Sequence, residues 1–96
     1  MSIEHCVYII ECKDGSLYTG YTNNLANRLK MHKLGKGAKY TRGRGPFKLC
    51  YHEVFETKEE AMRVEYKIKR LPREKKLEII QQQKIGEQIE ITEELS

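Results

Sequence analysis

Three stretches of the chain have the alternation or clustering of apolar residues that predicts β-strands. Residues 5–13 are rich in β-branched and aromatic side chains, residues 16–22 contain two tyrosines, and residues 47–55 alternate apolar with polar positions. Between the first two, Asp14-Gly15 predicts a two-residue type I′ turn, because that turn needs the positive φ that glycine accepts. These two strands are therefore expected to pair as an antiparallel hairpin.

Helix signals follow the second and third strands. Asn23 or Asn24 can cap a first helix that Gly35 ends, and Thr57 with Glu60 fits the capping box of a second helix running to about residue 70. The positions expected to face inward are Leu25 and Leu29, with Ala26 as a further candidate, on the first helix and Ala61, Val64, Ile68 and Leu71 on the second.

A third helix is predicted after the second. Pro72 suits the first turn of a helix, which would run over about residues 73–84 and end at Gly86. Its expected apolar contacts are Leu77, Ile80 and Ile85. Residues 87–96 form an acidic tail that is expected to be flexible, although the alternation of isoleucines within it also fits an edge strand.

The predicted order ββαβαα indicates an α+β fold with a small three-stranded sheet flanked by helices. The third strand follows a helical crossover, so the sheet is either antiparallel throughout or mixed. Helices that cover one face of the sheet would complete the layered domain. We expect a single domain over residues 1–86, with its core in residues 5–71.

Length and composition exclude several classes of protein. A chain of 96 residues is one domain, and no stretch of 18 apolar residues is available to span a membrane. The first residues lack the basic and apolar regions of a secretory signal, so a cytoplasmic protein is expected. We also expect it to be a monomer or a weak dimer. Cys6, Cys12 and Cys50 have no metal-ligand spacing and are expected to be small buried thiols.

Positive charge is concentrated in the middle of the chain. The net charge is +4, but between Gly15 and His52 there is no acidic residue and there are eight cations. This asymmetry favours a polyanionic partner, and nucleic acid above all. The glycine-rich part of the segment, residues 35–46, is either a flexible connector or a loop that binds nucleic acid; the residues expected to contact phosphates and bases there are Lys36, Lys39, Tyr40, Arg42 and Arg44.

A carboxylate interrupts the apolar stripe of the second helix. Glu65 lies beside Val64 and Ile68, where an ionised group is costly unless it is paired, hydrogen-bonded or bound to a metal. It is either a glutamate at the rim that reaches solvent or a lysine, or a ligand for Mg²⁺, which often takes only one or two protein carboxylates. The basic surroundings favour the metal ligand.

Further candidate residues lie in the first 32 positions. Arg28 and His32 are four apart and project from one helical face, where the guanidinium can stabilise a phosphate and the imidazole can accept or relay a proton. Tyr8 and Tyr18 lie on opposite sides of the hairpin turn, so strand pairing can bring both phenols to the same region. Gly20, within a strand, suggests the close approach of a backbone or a ligand.

These residues, in this order and at these spacings, resemble the GIY-YIG nuclease superfamily, in particular its small single-domain bacterial group of UPF0213-like proteins. The resemblance covers roughly residues 6–71 and implies a ββαβα core with one divalent ion, Mg²⁺ or Mn²⁺, on Glu65. It also implies motif tyrosines at Tyr8 and Tyr18, the motif glycine at Gly20, the catalytic arginine at Arg28, and a further catalytic position at His32. Tyr18 is the expected general base.

The chain departs from the family pattern at a few positions. Cys6 replaces the first motif glycine, Thr19 is the middle residue of the second motif, and Tyr21 stands where many members have a lysine. An asparagine that some members use after the metal glutamate has no clear counterpart.

The resemblance implies a metal-dependent endonuclease that hydrolyses phosphodiester bonds, with structure-selective DNA favoured over RNA and a role in repair or recombination. Two alternatives are a non-catalytic nucleic-acid-binding module and a nuclease subunit that is active only with a partner protein.

Overall fold

The computed structural model describes residues 4–83 of the chain. Its elements, in chain order, are β1 (His5–Glu11), β2 (Leu17–Thr22), α1 (Leu25–Lys33), β3 (Lys48–Phe55), α2 (Lys58–Arg70) and α3 (residues 73–83). The predicted fold class and element order are confirmed. The predicted end of the third helix and the acidic tail over residues 87–96 lie outside the described residues.

The sheet is antiparallel throughout, and β1 is its central strand between β2 and β3. Successive side chains of a strand point to opposite faces, and five consecutive residues of β1, Cys6 to Ile10, are buried. Both faces are therefore covered. Val7 and Ile9 pack in a core cluster with residues of α2 and α3, whereas Tyr8 and Ile10 face α1 and the loop after it. The expectation that helices cover one face is wrong.

The β1–β2 turn differs from the predicted type I′ geometry. Gly15 has φ +85°, but no other type of residue in the described chain has positive φ, so Asp14 does not adopt the conformation that a type I′ turn requires. Gly15 N donates to Cys12 O, and Cys12 N donates to Ser16 O. The loop therefore has three residues, with Gly15 in the left-handed position. Asp14 Oδ1 accepts hydrogen bonds from the backbone and hydroxyl of Ser16, which stabilises this geometry.

The helix caps follow the sequence signals. Asn24 caps α1, because its side chain accepts a hydrogen bond from Asn27 N. Thr57 caps α2 by accepting from Glu60 N. Gly35 has φ +79° just after α1, and the amides of the residues that follow the helix bond back to its last turn, as in a Schellman motif.

The inward face of α2 is as predicted, and those of α1 and α3 differ. On α1, Ala26 is exposed and His32 is the buried residue. On α3, Ile80 packs in the core as predicted and Ile79 packs beside it, whereas Leu77 is 43% exposed. The third predicted contact, Ile85, lies outside the described residues. The rotation of a helix about its own axis is set by the elements against which the helix packs. One apolar residue therefore predicts poorly which face of the helix is buried.

Two further expectations concern the composition. No disulfide forms within residues 4–83; Cys6 and Cys12 are buried as expected, and Cys50 is only partly buried. In the same part of the chain, no helix is both long and apolar enough to cross a membrane.

Candidate active site at the β2 edge

A buried series of hydrogen bonds runs from β1 through α1 into the loop after α1. The Tyr8 hydroxyl lies 2.7 Å from Nε2 of His32, and Nδ1 of His32 lies 2.8 Å from Oγ1 of Thr41. Thr41 Oγ1 also donates to the carbonyl of Ala38. Since a hydroxyl has one hydrogen, Thr41 accepts from Nδ1–H of His32, and Nε2 of the neutral ring accepts from Tyr8.

Burial keeps this series of groups uncharged. Tyr8, His32 and Thr41 are each 1% exposed. Burial, followed by the charge of Arg28, lowers the pKa of His32. Burial is also the main reason that the pKa of Tyr8 is raised. At neutral pH, His32 is therefore a neutral acceptor and Tyr8 a protonated donor.

Three other candidate residues influence the pKa of the Tyr8 hydroxyl. After burial, the neighbouring phenol of Tyr18 raises the pKa of Tyr8, the charge of Arg28 lowers it, and the carboxylate of Glu65 raises it. Ring contacts join Tyr8, Tyr18 and His32 directly. Electrostatic interactions weaken with distance, so Arg28 on α1 and Glu65 on α2 are near enough to influence the pKa of the Tyr8 phenol.

Tyr18 is the aromatic residue of this group that faces solvent. Its ring packs edge-on against His32 with 5.4 Å between centroids, and it lies 6.4 Å from the ring of Tyr8. Its hydroxyl has no hydrogen-bond partner among residues 4–83. It lines an open cleft of about 340 Å³ whose other lining residues are Leu17, Thr19, Tyr40, Lys69 and Lys76. Tyr8 and His32 are therefore placed behind Tyr18, away from the cleft.

A larger cleft of about 610 Å³ lies between α1, β3 and the loop that joins them. It is mainly apolar and is lined by none of the candidate catalytic residues. The smaller cleft beside Tyr18 is therefore the candidate active-site cleft.

Arg28 retains a charge that is available for a phosphate. Its Nη1 donates to the carbonyl of Gly37 over 3.1 Å, and the side chain has no carboxylate partner among residues 4–83. A guanidinium has five donor hydrogens, so most of them remain for an anion.

Glu65 is 13% exposed at its side chain and forms an ion pair with Lys69, 3.6 Å away. The interpretation that pairs Glu65 with a lysine is therefore confirmed, and the interpretation of Glu65 as a metal ligand stays a prediction. Within residues 4–83, no group of three or more His, Cys, Asp or Glu side chains could hold a metal. A single carboxylate fits Mg²⁺ that keeps most of its water ligands, and does not fit a metal enclosed by protein ligands.

Gly20 provides the space for the Tyr8 ring. The two residues are paired across β1 and β2, and a Cβ at position 20 would lie 2.5 Å from the Tyr8 oxygen. The close neighbour that the sequence predicted is therefore a side chain rather than a backbone or a ligand.

The basic loop is only partly available to a ligand. Arg44 pairs with Asp14 at 2.6 Å and lies over the ring of Tyr40, which in turn stacks on Tyr18 with 5.9 Å between centroids. Asp14 lies just before the acid-free segment, and the fold returns it to a cation of that segment. The exposed cations of the loop that have no ion pair within residues 4–83 are Lys36, Lys39 and Arg42.

Sequence reasoning missed three residues of the site. Thr41 lies within the segment, residues 37–42, through which the resemblance extends, but one hydroxyl in a glycine-rich loop does not reveal its partner. Lys69 and Lys76 lie in a cation-rich stretch, residues 67–76. A count of net charge does not reveal this stretch, because the same helices also carry glutamates. The position of Lys69 one turn after Glu65 was the available signal for the ion pair.

Comparison with known proteins identifies the family. The model of the GIY-YIG catalytic domain matches residues 4–78, which include every residue of the site described above. The chain belongs to the GIY-YIG family. GIY-YIG domains form a nuclease superfamily, so this chain has a nuclease-type domain and the nucleic-acid-binding character of that class.

Similar proteins occur in several bacteria. A UPF0213 protein of Oceanobacillus iheyensis is 62% identical over 81 residues, which cover 84% of this chain and 94% of the relative. The solution NMR structure of a UPF0213 protein from Bacillus halodurans is 58% identical, covers 82% of this chain and 84% of that one, and has a TM-score of 0.56. A protein of E. faecalis, also solved by NMR, is 37% identical over 88% of this chain and 93% of its own, with a TM-score of 0.61.

One departure from the GIY-YIG pattern has a structural consequence. Tyr21, which stands where many members have a lysine, packs against the core on the opposite face of the sheet from Tyr8. Its hydroxyl lies 2.9 Å from Nδ1 of His5. In this GIY-YIG domain, the lysines beside Tyr18 come instead from α2 and α3.

Proposed function

We propose that the protein is a metal-dependent nuclease that hydrolyses phosphodiester bonds, with structure-selective DNA as its substrate and a role in repair or recombination. The observation that carries the proposal is the position of Tyr18. It opens onto a cleft beside the Glu65–Lys69 pair, while Arg28 and Glu65 both act on the Tyr8 hydroxyl behind it.

Each residue of the site has a role in this proposal. Glu65 would hold one Mg²⁺ or Mn²⁺, which when bound supplies positive charge to the phosphate. Arg28 binds the same phosphate through its unused donors and stabilises the charge that develops on it. Tyr18 orients the attacking water, because it is the phenol that reaches the cleft. Once the Tyr18 hydroxyl has released its own proton to solvent in the cleft, its phenolate oxygen accepts the proton of that water. Tyr8 and His32 hold the Tyr18 ring in place.

The cations around the cleft support a nucleic-acid substrate. Lys36, Lys39 and Arg42 are exposed on the loop whose Tyr40 packs against Tyr18, so they can bind backbone phosphates on the loop side of the reacting one. These contacts recognise charge and shape rather than sequence, which favours selection of DNA by its structure.

The direct test is cleavage of a substrate panel with Mg²⁺ or Mn²⁺. Single-stranded, forked, flapped and branched DNA, with matched RNA, would be incubated with the parent protein and with Glu65→Gln and Arg28→Ala. We expect each substitution to lower the cleavage rate by about 100-fold or more, as the loss of a group that stabilises transition-state charge does. Glu59→Gln and Arg63→Ala are matched controls, because both residues are exposed on α2 and have no ion pair among residues 4–83.

Two results would contradict the proposal. Cleavage that persists in both site variants would come from another source. Binding of the panel without cleavage of any member would support the non-catalytic module instead.

A further inference from the structure

We propose that Lys69 and Lys76, together with Thr19, bind a second backbone phosphate of the nucleic acid on the helix side of the cleft. This inference rests on the proposed function and extends it, because it assigns the path of the strand beyond the reacting phosphate.

The cleft surrounds the outer edge of β2. Tyr18 faces α1 and the loop, whereas Leu17 and Thr19 point to the opposite face of the sheet, towards α2. Because β2 is an edge strand, both sides open onto the same space. The aromatic residues Tyr18 and Tyr40 therefore line one side, and the two lysines line the other.

Lys76 is held at the cleft by the rotation of α3. Ile79 and Ile80 pack against the core, and Lys76 precedes them by three and four residues, so it lies on the same helical face. It is partly buried and has no ion pair among residues 4–83. The adjacent Lys75 is exposed and pairs with Glu78 at 3.5 Å. A partly desolvated cation without a partner is stabilised by an anionic ligand.

Lys69 joins this position to the candidate catalytic residues. Its ammonium lies 3.6 Å from Glu65, and the same side chain lines the cleft with Lys76. A phosphate bound between the two lysines would therefore lie next to the site where the reaction is proposed to occur.

Thr19 provides an independent indication of a ligand. It lines the cleft, is 3% exposed, and its Oγ1 is the buried side-chain polar atom of residues 4–83 that has no hydrogen-bond partner. Burial of a hydroxyl without a hydrogen-bond partner is unfavourable. A phosphate oxygen that enters the cleft would supply its missing acceptor, in the position where the two lysines supply positive charge.

The test is the salt dependence of DNA binding, measured by fluorescence anisotropy with a short labelled single strand and without divalent ions. Each phosphate contact contributes about 0.7 to the slope of log affinity against log salt concentration. We expect Lys76→Gln to reduce that slope by about this amount. Lys75→Gln removes the same charge one residue away and should leave the slope unchanged, while Lys76→Arg should retain it. Equal slopes for the two glutamine variants would overturn the proposal.

A second measurement uses inorganic phosphate as the probe. We expect its addition to shift the amide NMR signals of Thr19 and Lys76 in the parent and in Lys75→Gln, and to leave Thr19 unshifted in Lys76→Gln. Unshifted Thr19 signals in the parent would count against the site.

The two proposals fail in different ways. A difference in slope without cleavage on any substrate would reject the nuclease and leave the phosphate site. Cleavage with equal slopes would reject the phosphate site and leave the nuclease. A parent protein that binds neither DNA nor phosphate would overturn both.

Discussion

The orientation of the His32 ring depends on residues that have no catalytic chemistry of their own. Thr41 fixes which nitrogen carries the proton, because its hydroxyl hydrogen is already donated to a backbone carbonyl. Two glycines provide the space for the rings: a Cβ at Gly20 would collide with Tyr8, and one at Gly37 would collide with His32. The rings of Tyr8 and His32 form the surface against which the ring of Tyr18 packs.

Thr41→Val tests this assignment at the scale of one residue. Valine has nearly the same shape but no acceptor, so Nδ1–H of His32 would be left unsatisfied at a cost of about 1–3 kcal/mol. We expect the ring to change towards the tautomer with its proton on Nε2, which ¹⁵N NMR of the imidazole detects directly. Thr41→Ser should keep the parent tautomer. A valine variant whose Nε2 stays unprotonated would show that Thr41 only fills space.

At the scale of elements, the sequence predicts the features that depend on local signals better than those that depend on tertiary packing. Asn24 and Thr57 cap helices as expected, since a cap needs only its own side chain and the next few amides. The β1–β2 turn was mispredicted because Asp14 bonds to Ser16 and favours a three-residue loop. Leu77 was mispredicted because the rotation of α3 is set by its contacts with the sheet and α2.

The same division applies to the site. Tyr18, Arg28 and Glu65 could be proposed from sequence because phenol, guanidinium and carboxylate have recognisable chemistry, and the resemblance placed them in order. Thr41 and Lys76 could not, since their roles arise only when a loop and α3 are brought to the same strand. The acid-free segment was also an incomplete guide, because the fold pairs one of its arginines with an aspartate from outside it.

The loop after α1 is attached to the β1–β2 turn at two points. Lys13 N donates to Arg44 O, and the Arg44 side chain pairs with Asp14. Ser16, followed by the charge of Arg44, holds the pKa of Asp14 below its usual value. The carboxylate therefore competes with a phosphate for Arg44 at neutral pH.

Asp14→Asn is expected to increase nucleic-acid affinity by about two- to fivefold at low salt, because Arg44 loses its partner. Asparagine can still accept the hydrogen bonds from Ser16, so the turn is preserved. Removal of any acidic charge favours a polyanion, so the comparison needs Arg44→Gln alone and combined with Asp14→Asn, measured by fluorescence anisotropy. An equal gain with and without Arg44 would rule out competition between the two groups.

At the scale of the whole molecule, the two edges of the sheet have different environments. On the β3 edge, the side-chain amide of Gln83 bonds to both the backbone N and O of His52, as a neighbouring strand would. The β2 edge is left open to the cleft beside Tyr18. The central strand β1 is buried on both faces, which places a titratable group, His32, inside the domain.

The burial of neutral His32 predicts an acid-sensitive fold. An unfolded histidine has a pKa near 6.5, and burial lowers the pKa of His32 below that value in the folded state. Its contribution to stability is therefore complete above about pH 6.5 and is lost as the pH falls towards the folded-state pKa, since only the unfolded chain binds the proton there. For one proton, the free energy of unfolding can change by at most about 1.4 kcal/mol per pH unit.

Urea denaturation between pH 7.5 and 5.5, about one unit on either side of the unfolded pKa, measures this slope. His32→Gln should be less stable at neutral pH but should lose the slope, whereas His52→Gln, which changes an exposed histidine, should keep it. A parent protein equally stable across this range, or the same slope in His32→Gln, would mean that His32 is not the group that couples protonation to folding.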